Sequence, residues 1–169
     1  MDYIGSSCNI CYMNLTIRPA TLMDFQNVVT VTFKTKNKYP ETNEGISLTI
    51  EECITNFMSY FDGTGFINIF EDDGVFVGCF KHSIKGHNLV EGHIYITEDY
   101  IGKGIASTLM KMNIEECKGI VIYTMVSEEN PIALKAILDA GWTIAGTIPN
   151  SWKTKDGYCS RVILYVDCK

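Results

Sequence analysis

The sequence has little positive charge and no long apolar run, and each absence narrows what the chain can do. It holds 14 lysine and arginine residues against 20 aspartate and glutamate residues, for a net charge of -6. Such a chain does not neutralise phosphates in bulk, which argues against a nucleic-acid partner. An acidic surface attracts small cationic molecules or basic peptides instead. No stretch of eighteen apolar residues occurs, so we expect no membrane span.

The N-terminus lacks the basic segment and apolar core that mark a secretory signal. Several of the seven cysteines lie in apolar patterns, as Cys79 does in VFVGCF, which is typical of reduced thiols. Both observations predict a cytoplasmic protein. The pair Cys8 and Cys11 suggests a metal or redox site, but a zinc site needs about four ligands and no second close pair exists. We therefore expect two ordinary thiols and no metal.

The composition is that of a folded protein, with 46% hydrophobic and 20% charged residues. A length of 169 residues fits one domain. Residues 1–13 show no clear periodicity. We therefore predict an N-terminal extension at 1–13 and a single domain at 14–169.

Local patterns predict strands and helices throughout that domain. Thr21 with Asp24 is suited to begin the first helix, and Ser47 to cap the second. An Asp-Asp-Gly turn links two β-rich runs into a hairpin, and Asn130 before Pro131 is typical of a helix start. The predicted strands are 15–19, 66–70, 75–83, 89–96, 119–126, 142–148 and 158–166. The predicted helices are 21–33, 47–60, 103–117 and 131–140, and a loop is expected at 149–157.

The order β-α-α-β-β-β-α-β-α-β-β predicts an α/β fold with a mixed, mostly antiparallel sheet flanked by helices. In this arrangement His82 and His87 flank a turn, and we expect both in solvent. The acidic run 71–73 is expected at a hairpin tip. No internal repeat interrupts the pattern.

The stretch EGHIYITEDYIGKGIASTLM, at 91–110, changes from strand alternation to helical periodicity across Gly102-Lys103-Gly104. The first amides of a helix are unpaired and carry partial positive charge, so this end can bind an anion such as pyrophosphate. The two glycines would let the backbone approach that anion, and Lys103 adds a cation. A tight turn with positive φ explains one glycine equally well, and both interpretations stay open.

In this context the joint resembles the acetyl-CoA signature of the GNAT N-acetyltransferase superfamily. That signature is Q/R-x-x-G-x-G/A, and Gly104 and Ala106 match its last two positions. The segment NPIA at 130–133, with GW at 141–142, is similar to the family's N-x-x-A…G-F segment. The element order agrees with the family over about 14–166.

The resemblance implies that the fourth and fifth strands separate to admit the pantetheine arm of acetyl-CoA. The backbone of the fourth strand would pair with the arm, the amides from Gly102 to Ser107 would hold the pyrophosphate, and Asn130 would lie near the arm. The implied cofactor-binding residues are Ile94, Tyr95, Ile96, Ile101, Gly102, Lys103, Gly104, Ile105, Ala106, Ser107 and Asn130.

Two positions depart from the family pattern. Ile101 occupies the Gln/Arg position of the signature, which removes one side-chain contact to the cofactor. Ile137 occupies the position of a tyrosine that commonly protonates the departing thiolate in the family. The general acid is therefore unassigned.

Acyl transfer to an amine needs a group that removes a proton, because an alkyl amine has a pKa of about 10. Glu91, His93 and Tyr95 alternate to one face of the fourth strand, where bases of the family often stand. Glu91 and His93 are thus candidate catalytic bases, although a solvated sheet face explains the alternation equally well. Tyr123 and Ser127 are candidates to reach the thiolate, and Tyr123 also suits the core.

Two functional hypotheses follow. The first is an acetyl-CoA-dependent N-acetyltransferase acting on a primary amine of a small cationic or amino-acid-like molecule, with a protein amine or a modified nucleobase amine as variants. The second is a non-catalytic acyl-CoA-binding or interaction protein of the same fold, which Ile101 and Ile137 would suit. Trp152 and Tyr158 either line a substrate pocket or pack at a strand edge. The sequence allows a homodimer.

Overall fold

The computed structural model describes residues 13–38, 48–154 and 157–169, which form a seven-stranded sheet with helices on both faces. The strands are β1 (Leu15–Pro19), β2 (Gly65–Asp72), β3 (Val75–Ile84), β4 (Leu89–Ile96), β5 (Val121–Ser127), β6 (Thr143–Thr154) and β7 (Gly157–Asp167). The helices are α1 (Phe25–Lys38), α2 (Ile50–Ser59), α3 (Ala106–Glu116) and α4 (Pro131–Asp139), with short 3-10 turns at Leu22–Asp24 and Glu98–Tyr100. The predicted α/β class and the predicted order of elements are confirmed.

The sheet has the strand order β1-β2-β3-β4-β5-β7-β6, and only its central pair is parallel. That pair, β4 with β5, is joined through α3, as a parallel connection requires. Its register holds three residue pairs, from Leu89↔Val121 to Glu91↔Tyr123. Beyond Glu91 the two strands separate, so the sheet opens in its middle. The expected separation of these strands is therefore present.

Two apolar cores form on opposite faces of the sheet. The first core joins β2, β3 and β4 to α1 and α2, and it includes Val28, Phe57, Ile69, Cys79 and Tyr95. The second core lies under α3 and α4, and it includes Phe80, Leu109, Ile122, Ile137 and Leu164. Alternate residues of a strand face opposite sides, so β4 sends Tyr95 to the first core and Val90 to the second. The strands β4 and β5 therefore each have one face toward α1 and α2 and the other face toward α3 and α4.

Side-chain caps define where several helices begin. Thr21 and Asp24 form a capping box before α1, as predicted. Thr49 and Glu52 form another at α2, whereas the predicted cap Ser47 lies outside the described residues. Asn130 caps α4 through its Oδ1, which accepts a hydrogen bond from the amide of Ala133 at 3.1 Å. The predicted start of α4 is confirmed.

Several predicted boundaries are wrong. The helix predicted at 103–117 begins only at Ala106, because Gly102 and Gly104 have φ of +79° and +76°, which an α-helix does not admit. The loop predicted at 149–157 is largely strand, since β6 and β7 continue past a register shift between Ile148 and Trp152. Helix α1 continues beyond 33 to Lys38, and the fifth strand begins at Val121 rather than at 119.

His82 is buried, which corrects its expected position in solvent. His82 lies near the end of β3, on the face of the sheet that α3 covers. The ring stacks between Phe66 and Phe80, at centroid distances of 4.3 and 4.7 Å, and its Nε2 lies 3.0 Å from Oδ1 of Asn113 on α3. Burial lowers the pKa of His82 to about 4.

The remaining predictions about the chain's organisation concern its N-terminus and the membrane. Cys8, Cys11 and all of the predicted extension except Met13 lie outside the described residues. No helix in the described part of the chain combines the length and the apolar character that a membrane span requires.

Candidate active site

The Gly-Lys-Gly joint forms a bend between β4 and α3. A Cβ added at Gly102 would meet no atom within 4 Å, so its positive φ, and not a lack of space, makes glycine necessary there. Helix α3 begins directly after the bend without a side-chain cap, unlike α2 and α4. The first-turn amides of α3 therefore have no side-chain acceptor among the described residues, and they are available to an anion.

The residues beside the bend supply a cation and an apolar side chain. The ammonium of Lys103 lies 4.6 Å from the ring centroid of Tyr100, whose hydroxyl donates to Asp72 at 3.0 Å. Ile101 is 46% exposed. Because its side chain is apolar, it offers no polar contact at the signature position where the family has Gln or Arg. Charge at the bend therefore comes from Lys103 and from the dipole of α3.

A cleft of about 150 Å³ fills the opening between β4 and β5, and we call it the interstrand cleft. Strand β4 contributes His93, Ile94 and Tyr95, while β5 and α4 contribute Ser127, Asn130, Ile137 and other residues. Trp152 of β6 also lines the cleft, whereas Tyr158 is 67% exposed. Lys36 of α1 lines the cleft too, so the opening brings together residues from five elements of the described chain.

A second pocket, of about 270 Å³, lies on the α1 and α2 side of the sheet, and we call it the helix-side pocket. It shares Lys36, His93 and Tyr95 with the interstrand cleft. Its other lining residues are Thr32, Leu48, Glu52, Cys53, Asn56, Tyr60 and Ser83. The two pockets therefore adjoin one another at these three side chains.

Glu91 and His93 form a pair at this meeting point. The Nε2 atom of His93 lies 3.4 Å from the carboxylate of Glu91, and the ammonium of Lys85 lies 3.0 Å from it. Hydrogen bonds from His93 and Lys85 lower the pKa of Glu91 to about 2, although partial burial opposes the shift. Glu91 is therefore a weak base, and its carboxylate is placed to orient the imidazole of His93.

Tyr123 lies where β4 and β5 part, because it pairs with Glu91 in the last register position of the two strands. Burial and the neighbouring Glu91 carboxylate raise the pKa of its phenol, so the hydroxyl is protonated at neutral pH. Tyr123 is half-buried, and it is absent from the linings of the interstrand cleft and the helix-side pocket. This position suits a contact between Tyr123 and Glu91 better than the expected contact between Tyr123 and the departing thiolate.

Ser127 is buried in the interstrand cleft at the end of β5. Its hydroxyl oxygen accepts a hydrogen bond from the amide of Glu129 at 3.2 Å and lies 3.1 Å from the sulfur of Cys159. When the Cys159 thiol donates in this contact, both lone pairs of the Ser127 oxygen are occupied and the hydroxyl proton is left for a ligand in the cleft. The same cleft contains Ile137, which has no proton to give.

The sequence itself decides the family. The model of the acetyltransferase (GNAT) family matches residues 32–142, about two-thirds of the chain. The chain belongs to the GNAT family. It is therefore an N-acyltransferase by family, and the resemblance of its signature segments is confirmed. A comparison with curated protein sequences found no match.

Solved structures share this GNAT fold. An N-acetyltransferase from Staphylococcus aureus is 23% identical, with a TM-score of 0.77 over 92% of this chain and 99% of the other. A spermidine N-acetyltransferase from Vibrio cholerae, in complex with CoA and spermine, is 20% identical, with a TM-score of 0.75 over 90% and 94%. A Salmonella typhimurium protein with acetyl-CoA is 15% identical, with a TM-score of 0.75 over 92% and 94%.

Not every predicted site residue of this GNAT protein lies in the interstrand cleft. Ile96 and Ile101 instead line a third pocket, of about 380 Å³, between α1 and the segment after β4. The side chain of Tyr95 packs against the first core, which leaves its backbone as the part that can bind a ligand. In the described ranges no group of three His, Cys, Asp or Glu side chains is placed to hold a metal ion.

No sequence pattern predicted the polar residues of the helix-side pocket. Asn56, Tyr60 and Ser83 come from α2 and β3, and no motif joins them. Behind them lies Lys81, which is 1% exposed. The sequence does contain one indication of this site. A lysine within the apolar alternation of VFVGCFKHS is unusual in a strand covered on both faces.

Proposed function

We propose that this protein transfers the acetyl group of acetyl-CoA to the primary amine of a small cationic or amino-acid-like molecule. One observation carries the proposal: a cleft opens between β4 and β5, the chain leads from β4 to the uncapped start of α3, and the cleft shares His93, which is paired with Glu91, with a second pocket. The helix-side pocket, at about 270 Å³, suits a small molecule as the acceptor.

The chain's own groups fit the cofactor. The backbone of β4 beyond Glu91 has no ladder partner on its β5 side, so groups at Ile94 to Ile96 that face the cleft are available to the pantetheine amides. The amides from Gly102 to Ser107, with Lys103, suit the pyrophosphate. Asn130 serves the cleft by fixing the first turn of α4. Acetyl-CoA would supply the acetyl thioester.

His93 is placed to remove the amine proton. With Nε2 held toward Glu91, the other ring nitrogen is left to accept a proton from an amine in the helix-side pocket. Glu91 then stabilises the imidazolium that forms. A base on β4 next to the cleft keeps the proton acceptor within reach of both pockets.

Ser127 takes the place of the missing tyrosine in this proposal by donating a hydrogen bond to the departing thiolate, whose proton comes from the attacking nitrogen through His93. Its hydroxyl lies in the same cleft as Ile137 and is oriented by the amide of Glu129. A backbone N–H of β4 that faces the cleft would stabilise the negative charge on the carbonyl oxygen. Neither step requires a metal.

Release of free thiol from acetyl-CoA tests the proposal. The purified chain is incubated with acetyl-CoA and a panel of diamines, polyamines, amino acids and a peptide with a free N-terminus. We expect thiol release that depends on at least one small amine and greatly exceeds hydrolysis. Binding of CoA without amine-dependent release, measured on the same sample by calorimetry, would instead support a non-catalytic CoA-binding protein.

A further inference from the structure

The helix-side pocket holds the part of the acceptor that does not react. An amine that reaches His93 from this side leaves the rest of its molecule among α1, α2 and β3. The charges and hydrogen-bonding groups of this wall therefore determine which amines fit.

Lys81 lies directly behind that wall, and burial lowers the pKa of its ammonium, so an anion nearby would stabilise the charged form. It lies opposite His93 in the register of β3 and β4, and its side chain is buried. Its ammonium donates one hydrogen bond, to Oδ1 of Asn56 at 2.9 Å, and lies 5.3 and 5.6 Å from the rings of Tyr95 and Tyr60. No carboxylate of the described residues pairs with it. A buried ammonium without a counter-ion favours an anion nearby.

The groups in front of Lys81 are hydrogen-bond donors. Because Oδ1 of Asn56 accepts from Lys81, its amide NH2 group is left to donate to the Tyr60 hydroxyl and to the pocket. The Tyr60 hydroxyl lies 3.1 Å from that of Ser83, which adds a second polar group to the wall. Lys36 of α1 brings another ammonium to the lining.

Among the described residues, the carboxylates of Glu52 and Glu91 lie near the pocket, and both accept hydrogen bonds. Glu52 lines the pocket, but one of its carboxylate oxygens accepts the amide of Thr49 at 2.7 Å in the cap of α2. Glu91 is paired with Lys85 and His93. A ligand carboxylate at Asn56 would meet the NH2 group of Asn56, with the Lys81 side chain directly behind it.

We infer that the acceptor is an amine that also carries a carboxylate, as an amino acid does, and that Asn56, with Lys81 behind it, recognises this carboxylate. The inference rests on the proposed acetyl transfer to a small amine and selects one class among its acceptors. The net charge of -6 taken alone would favour polycations, so this inference differs from what the overall charge suggests.

Equilibrium binding tests the inference without relying on turnover. The CoA-loaded full chain is titrated by calorimetry with pairs of ligands that differ only by the carboxylate: lysine and cadaverine, ornithine and putrescine, phenylalanine and phenethylamine. We expect the acid of at least one pair to bind about ten-fold more tightly than its amine. Equal or tighter binding of every decarboxylated amine, or no binding of either class, would overturn it. Absence of thiol release would count against the transfer reaction alone.

The variant Asn56→Asp places a carboxylate on Lys81 and faces the ligand's carboxylate with a like charge. It is expected to fold, since it supplies the ion pair that Lys81 lacks, and to lose the preference for the acid. Asn88→Asp adds the same charge at an exposed position that lines neither pocket, and should keep the wild-type preference. An unchanged preference in Asn56→Asp would overturn the assignment.

Discussion

At the scale of single residues, the proposed proton transfer depends on the paired side chains of Glu91 and His93. The pKa of Glu91 lies below its ordinary value, because His93 and Lys85 both stabilise the charged form of the carboxylate. His93 is 36% exposed by its side chain and faces both pockets. In the proposed reaction the Glu91 carboxylate therefore positions the imidazole, and the imidazole accepts the proton.

We predict that His93→Gln lowers kcat by about 10²- to 10⁴-fold without changing the affinity for CoA, because the change removes the proton acceptor and leaves the interstrand cleft in place. Glu91→Gln should have a smaller effect. Steady-state kinetics and CoA titration measure both. His87→Gln, at an exposed turn, is the matched control and should keep wild-type rates. A wild-type pH–rate profile in both active-site variants would remove these residues from the mechanism.

Histidines show how far single residues can be interpreted from the sequence. His82 and His93 both lie on strands with alternating patterns, yet one is sealed under α3 and the other meets both pockets. The alternation predicted the face of Glu91 and His93 correctly. Which helix covers that face depends on contacts between distant elements, and a local pattern does not contain them.

His82 makes stability depend on pH in a defined window. Its folded pKa of about 4 lies below the ordinary value of 6.5, so the unfolded chain binds the proton more readily and the free energy of unfolding rises with pH between these values. The full contribution is about 3 kcal/mol.

We predict that denaturant unfolding shows this rise between pH 4.5 and 6.5, above the range in which Glu91 titrates. His82→Gln should remove most of the rise while lowering stability overall. His87→Gln should retain it. A slope that persists in His82→Gln would show that another group titrates there.

At the scale of elements, the contrast between helix starts carries the assignment of the cofactor seat. Helices α2 and α4 are capped by Thr49 and Asn130, while α3 begins at a bend of two positive-φ glycines with no cap. The sequence indicated these glycines and the Asn-Pro start of α4. It misplaced the start of α3, because the backbone angles of Gly102 and Gly104 are not visible in an apolar periodicity.

We predict that Asn130→Ala and Thr49→Ala each lower the free energy of unfolding by about 1 kcal/mol, because each leaves helix amides without a cap. Only Asn130→Ala should also weaken CoA binding, since α4 lines the interstrand cleft and α2 does not. Denaturant unfolding and CoA titration separate the two effects. Equal CoA affinities in the two variants would contradict this role of α4.

At the scale of the whole molecule, the site exists because one parallel pair interrupts an antiparallel sheet. β4 and β5 share three register positions and then part, so backbone groups of the central strand face a cleft instead of a neighbour. The element order predicted this topology through the family resemblance. The helix-side pocket was not predictable, since it joins α1, α2, β3 and β4 through contacts that no local pattern contains.

The net charge of the chain also differs from the charges that lie around the helix-side pocket. The chain carries -6, yet Lys36 and Lys81 lie at or behind the pocket wall. Local fields within a pocket act at short range, whereas salt screens the net charge beyond about 10 Å. Substrate class is therefore better judged from the lining of the pocket.

The affinity of CoA for Gly104→Glu, compared with Gly86→Glu, tests the central claim most directly. Glutamate at 104 adds bulk and negative charge at the proposed pyrophosphate seat, while at Gly86 a Cβ makes only an ordinary 3.7 Å contact with Leu89. Calorimetry should show binding weakened by about 100-fold or more in Gly104→Glu and unchanged in Gly86→Glu. Folding of both variants is checked by denaturant unfolding. Wild-type affinity in a folded Gly104→Glu would contradict the account.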